Sequence, residues 1–113
     1  MTYNPVVGWI SKPKYEIFGY PELRCLVLVY LYNRVKNTKG EDITIEPIKV
    51  LNYFFPKDKY PEIRNRDHFL CRRIRMVLDE FRPVYVYKRR GRYAVRLKVW
   101  IVKEILRSEG YDV

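Results

Sequence analysis

The side chains with chemistry to offer crowd into one stretch. Between residues 64 and 98 stand twelve bases, Arg64, Arg66, Arg72, Arg73, Arg75, Arg82, Lys88, Arg89, Arg90, Arg92, Arg96 and Lys98, against three acids, Asp67, Asp79 and Glu80. This window carries +9 of the chain's +10, and the rest of the sequence carries +1. A charge that serves only solubility has no reason to segregate; guanidinium groups at this density suit a polyanion. Lys88, Arg89, Arg90 and Arg92 stand almost side by side with no acid among them. Like charges so close repel unless counterions or a phosphate track screens them.

Other chemistries lack their parts. The chain has one histidine, His68, so a two-histidine metal or relaxase-type site cannot be built in one protomer. The His-x-x-Arg pair used by tyrosine recombinases is broken here, because Cys71 stands three residues after His68. There is no Gly-x-x-x-x-Gly-Lys phosphate loop and no Asp/Glu-x-Lys nuclease pattern. Asp79 and Glu80 are adjacent, and neighbours in a helix point apart. His68 and Cys71 can share a helix face, but only Cys25 remains as a third soft ligand, so no metal is expected. No enzyme, no cofactor and no small-molecule ligand are expected. Cys25 and Cys71 fall in helical apolar patterns and read as reduced, buried thiols, with a single interhelical bridge as the alternative.

The chain has 113 residues and is 48% hydrophobic, which suits one domain with a real core. Its densest apolar run, 25–32, is too short to span a membrane. With no secretion-signal pattern at residues 1–5, an intracellular, cytoplasmic protein is expected, without a membrane partner. Residues 1–20, broken by Pro5, Gly8, Pro13 and Gly19, read as an arm, and residues 21–113 as the folded domain. Pro21 opens a helix to about Asn37, apolar on most sides, as a central or partner-covered helix would be. Asp42-Ile43-Thr44 is β-like. Thr44 then reads as the cap of a second helix carrying Ile48, Leu51, Tyr53, Phe54 and Phe55 and ending before Pro56. A loop, 56–61, follows.

The third helix is expected over 67–81. Phe69, Leu70, Ile74, Val77, Leu78 and Phe81 form its inner stripe, and His68, Arg72, Arg75 and Asp79 its opposite face. Arg64 and Arg66 stand at its entry, and Pro83 stops it. A hairpin follows, 83–88 and 92–98 around Arg89-Arg90-Gly91. A loop of two residues, or of four, pairs Tyr85 with Arg96, Tyr87 with Ala94 and Arg89 with Arg92. That register leaves Val84, Val86, Val95 and Leu97 on one face, whereas a three-residue loop mixes the faces. Tyr85 and Tyr87 then lie on the outer face, as packing or as a stacking or dimer surface. The last helix, about Val99–Ser108, carries Trp100, Ile101, Ile105 and Leu106, and Gly110 is its cap.

Helix, short strand, helix, helix, hairpin, helix is an α+β order that resembles the winged helix-turn-helix family. The likeness covers roughly residues 21–98 and rests on topology and charge placement. In size and composition the chain is most similar to small DNA-binding proteins of archaea and archaeal viruses. The resemblance implies a three-helix core with a two-stranded wing and a C-terminal helix. It also implies a third helix, 67–81, that enters the DNA major groove, and a wing, 83–98, that touches backbone or minor groove. Two features depart from the family's pattern: the long link from Pro56 to about Arg66, and Arg82-Pro83 where a glycine commonly follows the third helix.

On this basis double-stranded DNA is the expected partner, and a transcriptional regulator the expected role. The expected contacts are Arg64, Arg66, His68, Arg72 and Arg75 from the helix region, and Lys88, Arg89, Arg90, Arg92 and Arg96 from the hairpin. Arg72 and Arg75 suit guanine O6 and N7, Arg64 and Arg66 phosphate, and Arg90 the minor groove. Arg73, between the two helix faces, reads as a brace. A homodimer reading a two-fold site is expected through the first helix, the arm or the last helix. RNA binding, or an architectural role on nucleic acid, is the alternative.

Overall fold

The structure is a computed structural model that describes residues 19–89 and 92–113. The proposed arm, apart from Gly19 and Tyr20, lies outside the described residues, as do Arg90 and Gly91 at the hairpin apex. The fold is α+β. Helix α1 is Tyr20–Val35, strand β1 Asp42–Ile45, α2 Pro47–Phe54, α3 Pro61–Arg64 and α4 Asp67–Leu78. A 3-10 turn, Asp79–Phe81, extends α4; then come β2 Tyr85–Arg89, β3 Arg92–Lys98 and α5 Val99–Ser108. The strands form an antiparallel sheet in the order β1-β3-β2.

Helix α1 is central. Leu23, Val27, Leu31 and Val35 are wholly buried, and Leu26, Leu28, Val29 and Tyr30 nearly so. Its all-round apolar character is therefore spent on neighbouring elements of the same chain: α2, α4 and α5 all pack on it. The sheet closes one side through Ile43, Ile45, Val95 and Leu97, which alternate with outward residues as a half-buried sheet requires. Each such buried side chain contributes about 1.5–3 kcal/mol of transfer free energy. Among the described residues no helix is long and apolar enough to cross a membrane.

Strand pairing follows the even-loop register. Tyr85 faces Arg96, Val86 faces Val95, Tyr87 faces Ala94 and Arg89 faces Arg92. Strand β1 adds to the far edge of β3, with Thr44 opposite Arg96 and Asp42 opposite Lys98, whose ammonium lies 3.0 Å from the carboxylate. Thr44 is thus a strand residue. The cap of α2 is Glu46, and Pro47 occupies the first turn, where its missing N–H costs nothing.

Several sequence expectations shift by local geometry. Helix α1 begins at Tyr20, one residue inside the expected arm. The long link before α4 contains the four-residue α3. The glycine-like position after the 3-10 turn is filled by Arg82, which adopts a left-handed φ of 52°. In α5 the inward positions are Val99, Val102 and Leu106, so Trp100, rotated about 100° from Val99, is 62% exposed. Val84 and Val86 share a face with Val95, but only its inner half is covered, and both are exposed. Cys25 and Cys71 are free thiols, each only partly buried.

A polar clamp ties the start of α1 to the 3-10 turn and to the end of α5. Arg24 on α1 donates to Glu80 at 3.0 Å and to Glu109 at 2.6 Å, and the Tyr20 hydroxyl donates to Glu80. The hydrogen bond and charge of Arg24 hold the Glu109 carboxyl below its ordinary value. Burial, then the bond to Glu80, pushes Tyr20 up to about 12. A depressed carboxyl stabilises the fold above its unfolded value and loses that contribution as the pH falls below it. A raised phenol stabilises below about pH 10 and loses its contribution as the pH climbs to about 12. Melting temperature should therefore drop below about pH 4.3, the ordinary range of a glutamate. Glu109→Gln should flatten that acid limb and leave the alkaline one, a result that thermal unfolding against pH would check.

Candidate nucleic-acid interface

Helix α4 is long enough for two turns of side chains on each face, and its core stripe is Leu70, Ile74, Val77 and Leu78. That fixes what points outward. At 100° per residue, the position opposite the core is Arg72, with His68 and Arg75 on one side of it and Phe69 and Met76 on the other. The hairpin stands on the His68–Arg75 side. Between α2, α4 and the hairpin lies a cleft of ≈ 800 Å³. Its walls are His68, Arg72 and Arg75 from α4, Lys88, Arg92 and Tyr93 from the hairpin, and Ile48 and Asn52 from α2, with Lys57 at the end.

Two contacts hold this arrangement. The Arg75 guanidinium lies over the Tyr93 ring, 4.2 Å from its centroid, and ties α4 to β3. Arg72 donates an N–H toward His68 Nε2 at 3.3 Å, one turn away, which leaves its other N–H groups turned to solvent. The cleft has one acid, Asp67, and it is already engaged: Arg64 donates to its two carboxylate oxygens at 2.6 and 3.2 Å. Lys57 adds a longer contact at 3.9 Å. The cationic walls therefore face an opening with no unpaired carboxylate among the described residues.

Arg64 itself is a correction to the sequence expectation. It is 5% exposed, and besides Asp67 it donates to the Phe55 carbonyl at 2.9 Å. Three of its five N–H groups brace the link between α2 and α4, and its burial keeps the guanidinium from a phosphate on the surface. Arg96 is likewise not in the cleft. It alternates with the inward Val95 and Leu97 and lies on the opposite face of the sheet, beside Tyr85. Arg66 is exposed at the N-cap position of α4. Arg89 is described only as a strand position opposite Arg92, and Arg90 lies outside the described residues. Arg73 lies over the ring of Phe69 on the same helix, at 4.6 Å.

The cleft also contains groups that were not expected at a site: Tyr93, Lys57, Ile48 and Asn52. Tyr93 had a signal. It pairs with Lys88 in the even register, on the face turned toward the helices. Cys71 lines the cleft, where burial, then the Asp67 charge, pushes its thiol up to about 11, so it stays protonated and unreactive at neutral pH. Among the described residues no three His, Cys, Asp or Glu side chains gather where a metal ion could bind.

Tyr85 and Tyr87 stack on each other on the outer sheet face, with centroids 5.3 Å apart. That contact accounts for part of their surface without a partner. No protein-family model, curated protein or solved structure matches the chain.

Proposed function

We propose that the chain is a winged-helix protein that binds double-stranded DNA, with α4 in the major groove and the β2–β3 hairpin on the backbone or in the minor groove. The observation that carries this is the cleft. Arg72, Arg75, Lys88 and Arg92, drawn from two separate elements, line one concavity whose sole carboxylate among the described residues, Asp67, is neutralised by Arg64. A phosphate backbone fits that wall, and an exposed Arg72 at the crest of α4 fits guanine O6 and N7. The element order and the β1-β3-β2 sheet beside three helices also suit the winged helix-turn-helix family. The proposed role is a transcriptional regulator, acting as a homodimer on a two-fold site.

Anisotropy titrations of a labelled duplex over a salt series test the reading. Affinity should fall log-linearly with salt, with a slope corresponding to roughly four to six phosphate contacts. A structured RNA of equal charge should compete poorly at matched salt. Equal or tighter RNA binding would replace the DNA assignment with an RNA one, and no duplex binding at low salt would end it. Selection from a random duplex pool then separates roles: a sharp palindrome marks a dimeric regulator, and no enrichment an architectural binder.

A further inference from the structure

The outward face of α4 is not purely cationic. Phe69 is 40% exposed and Met76 53% exposed, the two large apolar side chains on a helix whose core stripe is otherwise fully buried. Phe69 was expected in that stripe, but it sits well away from the stripe's centre and stands three residues before Arg72. Met76 stands four residues after Arg72. The three share one face, with a guanidinium between two apolar groups. Arg73 lies over the Phe69 ring at 4.6 Å and fixes it from the far side.

An exposed phenyl and thioether cost solvation unless something apolar meets them. Cationic groups border them: Arg72 and Arg73 stand three or four residues from both Phe69 and Met76, within one turn of each. An apolar protein surface suits such a border poorly; a polyanion suits it well. On the edges of duplex DNA in the major groove, the apolar group on offer is the 5-methyl of thymine. Phe69 and Met76 are seven residues apart, a rise of about 10 Å, or roughly three base-pair steps.

Resting on the DNA-binding reading above, we infer that Phe69 and Met76 are specificity-determining residues that read thymine methyl groups on either side of a guanine held by Arg72. The preferred site contains a guanine flanked by thymines within about three to four base pairs. Met76 suits the task because a flexible, polarisable thioether can follow a methyl group, and Phe69 because it is held in place.

The test replaces each thymine of a selected duplex by deoxyuridine, which removes the methyl group and nothing else. Two positions should each lose about fourfold in affinity, the effect of burying one methyl group. Phe69→Ala should abolish the sensitivity at one position and Met76→Ala at the other, while Phe69→Leu should retain part of it. Both side chains are exposed, so folding should survive, and circular dichroism would confirm that. Equal affinity for thymine and uracil sites overturns this inference and leaves DNA binding standing. So does a uracil penalty unchanged in both alanine variants, or a loss of self-association in them with methyl sensitivity intact. Failure to bind any duplex overturns the DNA reading itself, and this inference with it.

Discussion

Arg64→Ala should lower the unfolding free energy by about 2–4 kcal/mol, a large share of what a domain this size possesses. The cost arises because three hydrogen bonds vanish together. The Phe55 carbonyl loses its guanidinium partner in a buried setting, and the Asp67 carboxylate loses both of its donors. Asp67 is 27% exposed, so water recovers part of its solvation and holds the penalty toward the middle of that range. Arg64→Lys keeps the charge but not the fork, and should fall between the two. Asp67→Asn should cost a comparable amount, since it strands a guanidinium in the interior. Urea unfolding measures all three. A midpoint unchanged in Arg64→Ala would return this residue to the DNA-contacting set. Folded Arg64→Lys, in turn, should bind duplex DNA as the parent does.

The same residue marks where sequence reasoning stopped. Arg64 and Asp67 are three apart, a spacing visible at once, but the Phe55 carbonyl that captures the other side of the fork lies nine residues earlier, across a turn. Burial of an arginine depends on such a meeting, which periodicity cannot reveal. Helix α4 and the hairpin register were legible because each rests on a short-range rule: an apolar stripe of period 3.6 and the parity of Val86 against Val95. That parity already placed Arg96 with Tyr85 and away from the helices. Counting it with the interface gave charge precedence over geometry. Arg92 has the same parity as Arg96 yet lines the cleft. It stands at the end of a two-stranded ribbon, where twist is largest and a long side chain can reach around. Phe69 fell into the core stripe because composition cannot tell the edge of a stripe from its centre. Trp100 shows the same limit: among the apolar residues of the last helix, the sequence does not say that Val99 is buried and Trp100 exposed.

The cleft joins two kinds of arginine, and substitution should separate them. Arg72 crowns α4 and contacts His68, so on the proposed reading its loss should remove a base contact without disturbing the scaffold. Arg72→Ala should raise Kd for a selected duplex by about 10- to 100-fold, corresponding to about 1–3 kcal/mol, and relax the preference at one base pair. Binding to random duplex should weaken far less. Arg92 lies at the hairpin end, and Arg92→Ala should weaken selected and random DNA alike and reduce the salt slope by about 1. Arg75 belongs to both groups. Its guanidinium is held over Tyr93, so Arg75→Ala removes a cation and also unties the hairpin from α4. It should therefore weaken both kinds of DNA, and Tyr93→Leu, which keeps every charge, should reproduce part of the effect. Anisotropy with matched selected and random duplexes over a salt series distinguishes the three patterns. If Arg72→Ala lowers affinity for both duplexes equally, α4 is only a phosphate contact, and the assignment of its crest to the major groove is wrong.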